Sequence, residues 1–397
     1  REGRPRRAAR RTSPGMGRRL ADPPGRARAF VPPHCPNPDC PRHLAAPGTY
    51  REFVRRGLRR IARAPGWVAS FRCAACGRWF RSSAFDDDYW NKIPGLNARL
   101  YDLLANGAGL RQAARVLGVA PATVRRRVRR MAARALLVHL AQTAALRGAL
   151  DDAVVHDGLR TFAGSRYEPL DLHTAVLAKS GFVLDFNAAP LRRSGAMSPA
   201  QRVRRAERDE ALGRPDPRAR ERRSAEILRR LLPLFPEGAP IELRTDEEPA
   251  YARAVARVAP GRFRHRLTNS KERRDARNPL WRVNALHAYA RHACRPLVRE
   301  TCAFAKTAAG LLDRAALFVL ARNNTKGIAE RRRADRRTTP AMLLRLRRAP
   351  AGWRALCGRR PFPARVGLPP ELVDAYDGTF RARPRENVNP RIPKFVA

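Results

Sequence analysis

Two cysteine pairs restrict what the first quarter of this chain can fold into more than any other feature. Cys35-Pro-Asn-Pro-Asp-Cys40 and Cys73-Ala-Ala-Cys76 are separated by 32 residues. A short Cys-x-x-Cys or Cys-x(4)-Cys turn aims two thiolates at one ion without strain, and two such turns complete the tetrahedral shell that Zn²⁺ requires. Gly77, directly after the second pair, suits a knuckle in which the backbone turns through positive φ. Four unrelated reduced thiols are the plainer alternative, and the pairing speaks against it. His34 and His43 flank the first pair and read as surface residues, not ligands. All four positions are filled, so the zinc is expected to be structural, and residues 34–85 are predicted to form a zinc ribbon.

Charge narrows the partner. Against 35 Asp and Glu the chain carries 82 Lys and Arg, a net charge of +47 over 397 residues, which repels itself unless much of it faces a polyanion. Only six of those cations are Lys, and Ala, Pro and Gly are also abundant, so part of the excess reflects codon bias toward arginine on solvated faces. Its sign and size still favour nucleic-acid phosphates over a neutral substrate. No apolar run reaches the roughly 18 residues of a membrane span and no secretory signal is present, so a cytoplasmic, nucleoid-associated protein is expected. Residues 1–33 are a basic Arg, Pro and Gly stretch expected to be disordered, with Met16 a candidate start, and residues 331–397 read as a basic, Pro-rich tail.

Residues 95–145 carry helical punctuation. A helix over Asn97 to Gly107 is followed by a second over Leu110–Leu117, a turn at Gly118, and a third opened by Pro121 and running through Ala122 to Met131. Ala114 is small where two helices would cross, and Val124 and Val128 face a core. This is helix-turn-helix spacing, with Arg125, Arg126, Arg127, Arg129 and Arg130 expected on the exposed side of the last helix for contact with double-stranded DNA. A helical hairpin with a solvated basic face is the alternative.

From Asp151 the pattern becomes extended. Strands are predicted over 152–162, 170–177, 182–186, 241–246 and 263–267, with a charged helical insertion at about 195–236, a helix over 249–258, and a long helical region after Asn278-Pro279. Three antiparallel strands followed by alternating helices and strands is the order of an RNase H-like fold, an α/β domain with a mixed five-stranded sheet. The predicted architecture is therefore multidomain: a small zinc ribbon, an all-α helix-turn-helix, and this α/β domain over 150–330. Asp157 closes the run Ala153-Val-Val-His, and Asp246 closes Ile241-Glu-Leu-Arg-Thr, so each stands where a strand end can offer a carboxylate to Mg²⁺ or Mn²⁺. Two such ions clamp the attacking and leaving oxygens in phosphoryl transfer.

On these residues the chain resembles the DDE-type insertion-sequence transposases of the IS1-related group. The two Cys pairs carry the resemblance, together with His156-Asp157-Gly158, Leu191-Arg-Arg-Ser-Gly195, Arg244-Thr-Asp246-Glu247, Arg277-Asn-Pro-Leu280 and Arg299-Glu-Thr301. The resemblance implies metal-dependent DNA cleavage and strand transfer at the terminal inverted repeats of an element, by a homo-oligomer, with Asp157 and Asp246 as the first two ligands of the catalytic metal. The third ligand departs from the pattern, since no Asp or Glu lies between Asp275 and Glu300. Asn284 and His287 occupy the expected turn, and Glu300 is the remaining acid. The alternative is an inactive or domesticated relative, a zinc-ribbon and helix-turn-helix DNA-binding regulator.

Overall fold

The computed structural model describes residues 29–358, apart from 38, 44–51, 62–65, 90, 270, 299–300 and 331. Glu300, most of the basic arm and the tail beyond 358 lie outside the described residues.

The ribbon is a three-stranded antiparallel sheet, β1 (Phe53–Arg60), β2 (Trp67–Cys73) and β3 (Trp79–Arg81). So small a sheet cannot bury much apolar surface. Its core is the aromatic group Phe53, Phe71, Phe80 and Phe85 packed beside the cysteines.

Three helices follow, α1 (Leu96–Ala105), α2 (Leu110–Leu117) and α3 (Pro121–Ala144). Gly118 ends α2 at φ +64°, a left-handed conformation that disfavours any residue with a Cβ, and Pro121 occupies the start of α3. Ala114, Val124 and Val128 are buried as expected. The third helix runs well past the predicted Met131. Its C-terminal half keeps Met131, Ala132, Ala135 and Leu136 on one apolar face, and these join Leu311, Leu312 and Ala315 of the later helix α8 (Ala308–Asn324) in one core. One helix is thereby both the last element of the helix-turn-helix and a strut against the sheet.

The sheet comprises β4 (Val154–Phe162), β5 (Pro169–Leu177), β6 (Val183–Pro190), β7 (Ile241–Asp246) and β8 (Phe263–Thr268), in the spatial order β6-β5-β4-β7-β8. Strands β4, β5 and β6 are mutually antiparallel, whereas β7 runs parallel to β4 and β8 parallel to β7. This order and polarity are those of the RNase H-like fold. Helices α4 (Pro199–Leu212) and α5 (Ala219–Leu231) form the insertion between β6 and β7. Helix α6 (Pro249–Val258) connects β7 to β8, and α7 (Trp281–Ala293) precedes α8. Every residue of β5 is buried, because helices cover both faces of the sheet. Val155, Leu159, Leu172 and Val176 pack with α7 and α8 on one face; Val154, Ala175, Leu243 and Ile241 pack with α5 and α6 on the other.

Asp87 ties the ribbon's exit to the rest of the chain. Its carboxylate pairs with Arg134 of α3 and accepts hydrogen bonds from Asn97 Nδ2 (2.8 Å) and from the indole of Trp353 (2.6 Å). Removing it strands a buried guanidinium, so Asp87→Ala is expected to cost about 3–5 kcal/mol of stability, read as a lower urea midpoint with an unchanged slope.

Candidate functional site

The two strands that carry Asp157 and Asp246 are neighbours in register. Val154 pairs with Leu243 and Val155 with Arg244, and that register carried two residues further sets Asp157 opposite Asp246, where the parallel ladder has just ended. Paired residues on parallel strands point to the same face, and adjacent strands lie about 4.8 Å apart. The two carboxylates therefore share one face, Asp157 midway along β4 and Asp246 at the carboxyl end of β7.

Their electrostatics agree. Burial raises the Asp157 carboxyl to about 7 from 3.8, and the charges of Asp246 and Asp171 push the same way against a hydrogen bond from the Gly158 N–H. Burial likewise raises Asp246, with Glu248 and Asp171 adding to it while the Glu248 backbone N–H opposes. Buried carboxyls among neighbouring acids, each held toward its protonated form, are relieved by a cation placed between them. Asp157 Oδ1 accepts from the Gly158 N–H (2.7 Å) and the Tyr251 hydroxyl (3.4 Å), and Asp246 Oδ1 accepts from the Glu248 N–H (3.1 Å).

Helix α7 brings His287 to this pair. Its Nδ1 lies 3.6 Å from Asp157 Oδ2, and its Nε2 is 3.0 Å from the hydroxyl of Thr174, the residue of β5 paired with Asp157. Burial holds the imidazole down at about 4, so it is neutral at physiological pH. Asn284 stands one turn earlier on α7, half-buried, with its backbone in the helix. Among the described residues, only the four cysteines form a group of three or more Cys, His, Asp or Glu ligand atoms all within 4.8 Å of one another. Asp157, Asp246 and His287 are thus gathered without closing into a finished three-ligand site.

Sequence reasoning missed a layer behind the acids. Asp171 on β5 reaches across Gly158 so closely that a Cβ there would lie 2.5 Å from its Oδ1, which is why Gly must follow Asp157. Burial would raise the Asp171 carboxyl, but His173 and Arg220 outweigh it and hold it at about 2. Arg220 spans Asp171 (Nε to Oδ2, 2.8 Å) and Glu248 (Nη1 to Oε2, 2.6 Å), linking α5 to the end of β7. His173 and His156 share the Ser224 hydroxyl at 3.1 and 3.0 Å. The available signal was Asp171 and His173, two polar residues at period two inside an apolar strand, which places them on one face.

The metal cluster at the other end of the chain is complete. Cys35 Sγ lies 3.6 Å from Cys76 Sγ and Cys40 Sγ lies 3.8 Å from Cys73 Sγ, with all four within 4.8 Å. Tetrahedral Zn–S bonds of about 2.3 Å put sulfurs roughly 3.8 Å apart, so the thiols already span a zinc ion. Gly77 takes φ +67° at the second knuckle, and the Arg42 N–H donates to Cys40 Sγ. His34 and His43 are buried, contrary to the surface placement expected for them. They stack edge to face, and the Nδ1 of each lies within hydrogen-bond distance of the Cys35 carbonyl, so they brace the first knuckle and do not replace a thiolate.

The basic face of α3 needs one correction. Arg125 and Arg126 are exposed and Arg129 and Arg130 half-buried, but Arg127 is buried. Its guanidinium donates to Asn97 Oδ1 and to the Ile93 carbonyl, both at 3.3 Å, and burial lowers it to about 10. The helical period turns position 127 inward, one residue before core Val128, so Arg127 fastens α3 to the segment before α1 and is not available to a ligand. Cys302 is exposed, whereas Cys294 and Cys357 are buried.

No helix of the described residues is long and apolar enough to cross a membrane. No protein-family model matches the chain, and no curated protein matches it. Among solved structures, it is similar to a chain of the cryo-EM assembly of the simian T-cell lymphotropic virus intasome in complex with PP2A regulatory subunit B56 gamma. That match has 14% identity over 64% of this chain and 72% of the other, with a TM-score of 0.22. At that score the likeness carries no weight, and the RNase H-like fold rests on strand order and polarity alone.

Proposed function

We propose that the chain is a DDE-type transposase that cleaves and joins DNA at the terminal inverted repeats of an insertion element. The observation that carries this reading is the register that sets Asp157, midway along β4, opposite Asp246 at the end of the parallel neighbour β7, each carboxyl raised by burial and by nearby acids. Two carboxylates with few other protein ligands suit Mg²⁺ or Mn²⁺, which keeps sites for water and substrate oxygens. Divalent ions held there would stabilise the attacking and leaving oxygens of an in-line phosphoryl transfer.

The protein's own groups do the rest. His287 is the nitrogen candidate for a third ligand. Its Nε2 lies against the Thr174 hydroxyl and its Nδ1 is turned toward Asp157 Oδ2. Asn284, one turn away, is the oxygen candidate. The zinc of the Cys35, Cys40, Cys73 and Cys76 cluster is structural, and the modules proposed are the ribbon over 34–85, the helix-turn-helix over 95–145 and the catalytic domain over 150–330. Arg125 and Arg126, with Arg129 and Arg130 at their flank, contact duplex DNA. Replacing Arg125 and Arg126 by Ala is expected to weaken duplex binding and to lower the slope of log K against log salt by about 1.8, at 0.9 per phosphate contact, measured by fluorescence anisotropy across a salt series.

The test is incubation with Mn²⁺ and DNA bearing the inverted repeats that flank the gene, beside an Asp157→Asn control. Cleavage that the control lacks supports the enzyme. Tight binding with no cleavage supports the second reading, a DNA-binding regulator, which the absence of an acid on α7 favours.

A further inference from the structure

We infer that the cleft between β4 and the start of α5 holds a phosphodiester of single-stranded DNA, an inference that rests on the proposed function. The cleft is open to solvent, with a volume of about 170 Å³, and Arg160, Arg192, Arg218, Arg220 and Arg253 line it. A planar fork of N–H donors matches phosphate oxygens in pairs.

Three of the five are neutralised within the protein. Arg192 pairs with Asp209, Arg220 with Asp171 and Glu248, and Arg253 with Glu221, so the two glutamates in the lining, Glu221 and Glu248, are both occupied. Arg160 and Arg218 are exposed and have no carboxylate partner among the described residues; Arg160 donates only to the Ser194 hydroxyl, at 3.0 Å. These two carry the uncompensated charge.

Position makes this anion part of the reaction path. Arg160, an odd number of residues from Asp157 on β4, opens on the sheet face covered by α5 and α6, and the cleft connects to the acid pair through Arg220, whose charge reaches Asp246 and which is bonded to Glu248, two residues beyond it. At about 170 Å³ the cleft has room for one phosphodiester and no second strand beside it. A single strand, with one phosphate between Arg160 and Arg218, fits. A strand held so is drawn from its duplex end and laid toward the acid pair, giving the insertion helices α4 and α5 a role in substrate placement.

The test compares the full, zinc-loaded chain with its Arg160→Gln/Arg218→Gln variant, without added divalent ions. The probes are two fluorescein-labelled duplexes, one blunt and one with a short single-stranded extension, followed by anisotropy over a salt series. Both side chains are exposed, so the variant should melt with the wild type. The wild type should prefer the extended DNA. The variant should lose about tenfold on that DNA alone, as expected for two charge-assisted contacts, and its salt slope should fall by about 0.7, the value for one single-strand phosphate. A wild type indifferent to the extension, or a variant weakened equally on both probes, overturns the inference. Failure of the enzymatic reading would show separately, as absence of Mn²⁺-dependent cleavage with the binding difference intact.

Discussion

Asp157→Asn is expected to abolish DNA cleavage and, in the same protein without metal, to raise its stability above neutral pH. The carboxyl titrates at about 7 in the fold against 3.8 ordinarily, so its neutral form is the one the fold favours. The stability this contributes is complete below pH 3.8 and is lost as pH rises through 7. Above that, an ionised Asp157 costs up to about 4 kcal/mol at roughly 1.4 kcal/mol per pH unit, and less for a side chain that water still touches. Asn stays neutral at every pH. Urea unfolding should therefore show the variant ahead by about 1–3 kcal/mol at pH 8, by roughly a third of that at pH 5, and at parity below about pH 4. Cleavage should fall by about a thousandfold or more, as when a transition-state charge loses its support. Added Mg²⁺ should stabilise the wild type, by binding the folded state alone, and leave the variant unmoved. A variant no more stable than wild type at pH 8 would mean that burial and the neighbouring acids do not burden an ionised Asp157.

Zinc removal is expected to have the other large effect. The aromatic core of the ribbon is a handful of side chains, whereas a structural zinc contributes about 10–16 kcal/mol in zinc-finger peptides. Cys73→Ser, or chelation of the wild type, should unfold β1 to β3 while the sheet β4 to β8 stays folded. The checks are one zinc released per chain, rapid proteolysis within residues 53–81, and a retained cooperative melt for the remainder. A ribbon that keeps its proteolytic resistance without metal would show that the phenylalanines suffice.

Legibility in the sequence followed how local the cause was. Strand β7 and helices α2 and α6 fall where the sequence places them, because alternation, a Pro start and a Gly stop are written within a few residues. The cysteine cluster was legible for the same reason. Helix α3 outran its predicted end because Met131 to Leu136 are stabilised by α8, nearly two hundred residues away in sequence. Arg127 reads as one more cation in a basic run, and only the segment before α1 makes it a buried donor. Asp171, Arg220 and Glu248 come from β5, α5 and the turn after β7, so no spacing rule could join them. The pairing of Asp157 with Asp246 was foreseen from strand order, but its register became visible only in the sheet.

The most direct test of the central claim is anomalous scattering from crystals of the wild-type chain soaked in Mn²⁺ at pH 8, where Asp157 is ionised. The account predicts a peak between the Asp157 and Asp246 carboxylates, with oxygens at about 2.1 Å, that is lost in Asp157→Asn. Saturating Mn²⁺ with no peak between them, or a peak that survives the substitution, would contradict it.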